Sequence, residues 1–259
     1  MSTDVAAGIE APTRTTGPLR LGPREFAPGR PLVMAIVNRT PDSLEIRRVV
    51  PFIERVRAAY PGLVISVDTW RRESARAMCA AGANLINDTW SAWDSGLAEA
   101  AAESGAGLVC SHVGTLMPRT RPHRPAYEDV LADVRARVLR LARRALDAGV
   151  DPDSIVIDPT RDFGKNTWQS LEQTRRIGEL TATGWPVLLS ASHRDFVGET
   201  LDAPIDGRLA GTLAVTSVGA WLGARIFRAH DVRATRQALD MVASIKGDRP
   251  PARAVRALA

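Results

Sequence analysis

The chain has 259 residues, of which 45% are hydrophobic, and a formal net charge of +5. That length fits one large α/β domain, and no stretch approaches the roughly 18 consecutive apolar residues of a membrane span or resembles a secretory leader. Two cysteines, Cys79 and Cys110, make neither a disulfide framework nor a metal cluster, so a reduced, cytoplasmic protein is expected. The arginines are spread over many predicted helix faces, and no aromatic-rich basic strand offers a platform for bases. Nucleic acid is therefore not an expected partner; a small anion is compatible with the charge.

Residues 1–17, rich in Ser, Thr, Ala, Gly and Pro, read as a flexible leader. Turn signals at Gly22-Pro23 and Pro28-Gly29 place a small hairpin next, covering one end of the domain. Leu32–Val37 is an apolar run that ends in Asn38 and a polar turn, the pattern of a buried parallel strand. Helical periodicity then begins near Leu44, with Ile46, Val49, Val50, Ile53 and Val56 on one face.

The same grammar recurs down the chain. Strand Leu63–Val67 ends at Asp68-Thr69 and precedes helix Arg71–Ala81; strand Asn84–Ile86 ends at Asn87-Asp88 and precedes a helix over about Ser95–Ser104. Strand Gly107–Cys110 leads through a Pro- and Arg-rich loop, Gly114–Pro125, to the long helix Tyr127–Ala148. Strand Ile155–Ile157 ends at Asp158-Pro159 and precedes helix Thr167–Thr181. Strand Pro186–Leu189 ends at Ser190–Arg194, and helix Gly207–Leu222 follows. Strand Ala224–Phe227 ends at Arg228-Ala229-His230 and precedes helix Val232–Ile245.

Seven strands alternate with helices, which specifies an α/β protein of the TIM (β/α)8-barrel type that lacks one β-α unit. Residues 18–247 form this single domain, and 248–259 a C-terminal tail. Polar residues recur where strands end: Asn38, Asp68, Asn87, Asp158, Ser192, Arg194, Arg228 and His230. Each alone serves equally as a helix cap or turn former. Together they would converge on one mouth at the C-terminal face, where barrel enzymes carry their chemistry. Carboxylates and carboxamides there suit a planar heterocycle with a guanidine-like edge. Arg228, His230 and the following helix start suit a phosphate or pyrophosphate.

Several ordered motifs resemble the dihydropteroate synthase family. N-R-T-P-D-S (Asn38–Ser43) is similar to the family's N-x-T-P-D-S. S-V-D-T (Ser66–Thr69), I-N-D (Ile86–Asp88), I-D-P-x-x-x-F-G-K (Ile157–Lys165), A-S-x-R-x-F-x-G (Ala191–Gly198) and R-x-H-D-V (Arg228–Val232) follow in the family's order. The family condenses dihydropterin pyrophosphate with 4-aminobenzoate in folate synthesis. The resemblance implies that Asp68, Asn87, Asp158 and Arg194 bind the pterin, with Asp158 and Arg194 catalytic. It implies that Arg228, His230 and Asn38 bind pyrophosphate, that Asn38 helps hold Mg²⁺, and that the protein is a homodimer, for which the helix Leu209–Leu222 is the candidate face.

The chain departs from the family in ways that bear on activity. Ser43 is followed at once by L-E-I-R-R-V-V-P-F-I, so a whole β-α unit and both substrate loops are missing. Thr160-Arg161-Asp162 stands where the family is Gly-rich, and Arg194 stands where it has lysine, an exchange that is not conservative at a fitted contact. The expectation is a divergent, inactive second synthase that keeps an anion-binding mouth. A pterin-dependent methyltransferase module and a non-enzymatic binding or scaffold barrel are the competing readings.

Overall fold

The fold is taken from a computed structural model that describes residues 17–37, 45–114 and 126–255. Asn38 and the rest of N-R-T-P-D-S, most of the leader, the loop 115–125 and the last four residues lie outside the described residues. The chain enters through an antiparallel hairpin, β1 (Leu19–Leu21) and β2 (Arg24–Phe26), with Leu19 facing Phe26. Among the described residues seven parallel strands follow: β3 (Leu32–Ala35), β4 (Ser66–Asp68), β5 (Leu85–Asp88), β6 (Gly107–Ser111), β7 (Ile155–Asp158), β8 (Leu188–Ser190) and β9 (Ile226–Ala229). The helices are α1 (Glu45–Ala59), α2 (Arg72–Ala80), α3 (Leu97–Glu103), α4 (Val130–Asp147), α5 (Thr167–Arg175), α6 (Gly178–Thr181), α7 (Asp195–Leu201), α8 (Leu209–Trp221) and α9 (Val232–Lys246).

The strands pair in the order β4-β5-β6-β7 and β3-β9-β8, and the two runs are joined by a parallel bridge between Ile157 and Val187. This gives seven staves in barrel order. Among the described residues no ladder joins β3 to β4, so the seam falls where the sequence lacks a β-α unit.

Alternation along the strands divides the core in two. One set of side chains fills the barrel: Leu85, Val109, Val156, Leu188 and Ile226, with Leu32, Met34 and Val64 partly buried beside them. The hairpin closes the bottom by adding Leu19 and Leu21 to that interior. Arg225 ties it down by donating to the carbonyls of Gly17, Phe26 and Ala27. The other set meets the helices in a larger layer that includes Ile86, Leu108, Ile155, Leu189 and Phe227. Gly219 of α8 is required by this packing: a Cβ there would lie 2.2 Å from the Leu189 side chain.

The polar strand ends belong to the strands themselves. Asp68, Asn87 and Asp158 are paired residues of the ladders, Asp68 opposite Asn87 and Ser111 opposite Asp158. The strands therefore run one or two residues beyond their apolar stretches. An internal parallel strand continues while its backbone groups find ladder partners, whatever the side chain carries. The helix expected over Thr167–Thr181 is broken at Arg176-Ile177 into α5 and α6, and α7 is a short helix that the periodicity had not revealed. No helix among the described residues is long and apolar enough to cross a membrane.

Candidate active site at the barrel mouth

On the β4–β5 side, Asp68 and Asn87 stand abreast in register, and the Asn87 Nδ2 amide donates to Asp68 Oδ1. Arg228, at the end of β9, donates through Nη2 to Asp68 Oδ2 and lies 3.4 Å from Oδ1 through Nη1. Both carboxylate oxygens of Asp68 are thus engaged by the chain's own donors. Asn87 is buried, and its Oδ1 has no hydrogen-bond partner. An acceptor in that position is what an N–H-bearing heterocycle would use.

Asp158 ends β7 and is buried. Its Oδ1 accepts from the Thr160 N–H at 2.7 Å. Burial pushes its carboxyl above the ordinary range, while that hydrogen bond and the charges of Arg161, Arg194 and Arg228 oppose the shift. Arg194 begins α7 and donates to the Ser190 hydroxyl at 3.3 Å, with its guanidinium 5.0 Å over the Phe163 ring. Phe163 in turn meets Trp90 edge-on, with centroids 6.2 Å apart. Arg194 therefore sits on an aromatic stack that reaches back to the β5 loop.

His230 follows β9, and its Nδ1 is 2.9 Å from the Ser192 hydroxyl, which also accepts from the His230 N–H at 3.1 Å. Partial burial, followed by the charges of His193, Arg228 and Arg194, depresses the imidazole pKa. In its uncharged form the ring can accept the serine proton at Nδ1. The mouth thus brings together Asp68, Asn87, Asp158, Arg194, Arg228 and His230, together with Ser192, as the strand-end pattern predicts. Asn38 is the one predicted site residue outside the described residues.

Four residues of the β7 loop take roles that the strand-end pattern does not reveal. Thr160 and Asp162 hold φ of 45° and 68°, a backbone suited to glycine, so the loop keeps a Gly-type path with side chains added. Asp162 uses its Oδ2 to accept from the Asp195 and Phe196 N–H groups at 2.8 and 3.5 Å, so the start of α7 is capped from within. Arg161 is 0% exposed; its Nε donates to the Thr174 hydroxyl at 3.1 Å, while Nη1 and Nη2 have no partner. Lys165 is also buried, and its ammonium donates to the carbonyls of His112, Thr160 and Phe163 at 2.8–3.0 Å. Burial lowers its pKa to about 7. The departure from a Gly-rich stretch was visible in the sequence, but the direction of each side chain was not.

The chain matches the model of the pterin binding enzymes over residues 35–230. It is 49% identical to the inactive dihydropteroate synthase 2 of Mycobacterium leprae, with 91% of this chain and 98% of that protein covered. The aligned region spans 284 positions, more than the 259 residues here, so that relative carries residues with no counterpart in this chain. It is 39% identical to the dihydropteroate synthase of the same organism, covering 79% of this chain and 74% of that one. The Thermus thermophilus dihydropteroate synthase, solved in complex with 4-aminobenzoate, superposes with a TM-score of 0.80 at 33% identity, over 89% of this chain and 99% of that one. A seven-stave barrel, a mouth of strand-end Asp, Asn, Arg and His, and these likenesses agree: the chain belongs to the dihydropteroate synthase family.

Proposed function

We propose that this protein is a retired synthase barrel: it binds a pterin pyrophosphate, or the pyrophosphate alone, without condensing it with 4-aminobenzoate at a useful rate. The observation that carries the reading is the seam. Six positions to which the resemblance gives ligand roles lie at the strand ends of the mouth, yet the wall between β3 and β4 has no joining ladder among the described residues. The family's reaction releases pyrophosphate before a weakly basic aniline captures the resulting cation. Such a step depends on neutralising the leaving group and keeping water out. An incomplete wall would admit water beside Asp68, and the amine would lack the loops that form its pocket. The name of the Mycobacterium leprae relative supports the same conclusion.

In this reading Asp158, Asn87 and Asp68 face the pterin ring, and Arg194 lies against it. Arg228 and His230 take the pyrophosphate. Mg²⁺ would accompany the pyrophosphate and neutralise its charge. Among the described residues no group of three His, Cys, Asp or Glu side chains is placed to hold a metal, so the ion would depend on Asn38, phosphate oxygens and water. We further propose a cytoplasmic homodimer through α8, where Trp221 is 54% exposed and Val218 45%. The relatives named above lie on the synthase branch, so a methyltransferase role is not favoured.

Calorimetric titration with dihydropterin pyrophosphate and Mg²⁺, paired with a turnover assay using 4-aminobenzoate, tests the proposal. Micromolar binding with turnover at least about a thousandfold below an ordinary synthase (~4 kcal/mol in barrier) is expected. Ordinary turnover would overturn the retired-enzyme reading; binding of neither ligand would overturn the pterin reading.

A further inference from the structure

Arg228 engages Asp68 in the manner expected of a ligand. A guanidinium presents parallel N–H groups to a carboxylate, and so does the amino-substituted edge of a pterin. Arg228 directs Nη2 at Asp68 Oδ2 and places Nη1 3.4 Å from Oδ1, while Asn87 fills the remaining direction at Oδ1. The pair is accessible: the Arg228 and Asp68 side chains are 20% and 40% exposed. A bound molecule can therefore reach and replace either partner. Arg194 lies within electrostatic reach of Arg228, and so does His230, so an oxyanion entering from the β8–β9 side would find Arg228 beside a second guanidinium.

We propose that Arg228 and Asp68 form a latch coupling two subsites: an oxyanion that draws Arg228 away frees Asp68 to accept the N–H groups of an aminoheterocycle. The proposal rests on the reading of this mouth as a pterin and pyrophosphate site, and it adds an order of events to that reading. Without the anion, Asp68 is satisfied internally and the ring must displace Arg228. With it, the ring meets a carboxylate held only by the Asn87 amide, beside the unpartnered Asn87 Oδ1. Coupling of this kind is reciprocal, so each ligand raises the other's affinity by the same factor.

The test uses the full chain, with sodium pyrophosphate and 6-hydroxymethylpterin as separate probes in calorimetry. Saturating pyrophosphate should raise pterin affinity roughly fivefold. Arg228→Gln should bind pterin at the raised affinity already, with no further gain from pyrophosphate. Pterin binding that is equal with and without pyrophosphate in the unaltered protein would overturn the latch and leave the pterin site standing. No pterin binding to either protein under any of these conditions would overturn both. A second pair of variants reads the latch through the anion alone. Asp68→Asn should raise pyrophosphate affinity roughly fivefold by releasing Arg228. Asp158→Asn removes the same charge from the same mouth without a hydrogen bond to Arg228, and should raise it less. Equal gains would overturn the latch.

Discussion

Strands β5 to β8 and the two strands at the seam follow the same sequence grammar and end in different environments. Every residue of β5, β6, β7 and β8 is buried. In β3 three residues are half-buried and Ala35 is exposed, and in β4 only Val67 is buried. Burial on both faces of a parallel strand needs a neighbour on each edge and a helix outside. Losing one unit removes one edge partner from each of β3 and β4. The effect on the site is direct: Asn87 and Asp158 sit in the closed half as buried groups, whereas Asp68 is exposed enough to take an internal cation as its partner. A barrel that loses a stave keeps its chemistry opposite the gap and rearranges it beside the gap.

The closed half and the seam should differ most in how their interiors tolerate truncation. Leu85→Ala, in the closed half, should cost about 4 kcal/mol, whereas Met34→Ala, at the seam, should cost about 1–2 kcal/mol because its site is already half open. Urea denaturation of both variants measures the difference, and equal costs would mean that the seam is packed as tightly as the rest.

A pH dependence should follow from the closed half alone. His112 lies just past β6, and its Nε2 is 2.7 Å from Asp133. Burial, reinforced by the charge of Lys165, pushes its imidazole from 6.5 down to about 4, against the pull of the Asp133 carboxylate. The unfolded chain binds the extra proton between those values, so this group's contribution to stability falls as pH drops from about 6.5 towards 4. Buried Asp88, its carboxyl raised to about 6, adds stability over the same range, so the His112 loss is read as the difference in unfolding midpoints between the unaltered protein and His112→Gln from pH 7.5 to 4.5, a difference that should shrink as pH falls.

A smaller loss is expected at the rim of the mouth. Asn166 caps α5 at the end of the β7 loop, its side chain accepting from the Gln169 N–H while Gln169 reaches back to the Asn166 N–H. Asn166→Ala should cost about 1 kcal/mol. Thermal unfolding should register it, with Lys165 and its three carbonyls keeping the loop in place.

Much of the fold and of the site was legible before any coordinates. The alternation of apolar runs and amphipathic segments gave seven strands, because a buried parallel strand must be apolar on both faces. Gly22-Pro23 marked the hairpin that closes the barrel. The polar residues at strand ends marked the mouth, since little other than function or capping puts Asp or Asn at the end of an apolar run. The break in the helix at Arg176 was less visible: Arg176 leaves helical geometry and binds Glu172 and Glu179 of its own segment together with Asp129 at the start of α4, and that third partner, 47 residues away, lies beyond the reach of local periodicity.

Strand periodicity and strand-end polarity are local properties of the chain, so the barrel type, the missing unit and seven of the described groups at the mouth were legible from residue order. Tertiary structure alone decided which of those groups meet. Arg228 crosses to Asp68, 160 residues away in sequence, and Arg161 goes into the layer behind the mouth to Thr174. Those directions follow from stave order and register, which place strand ends side by side regardless of their separation along the chain.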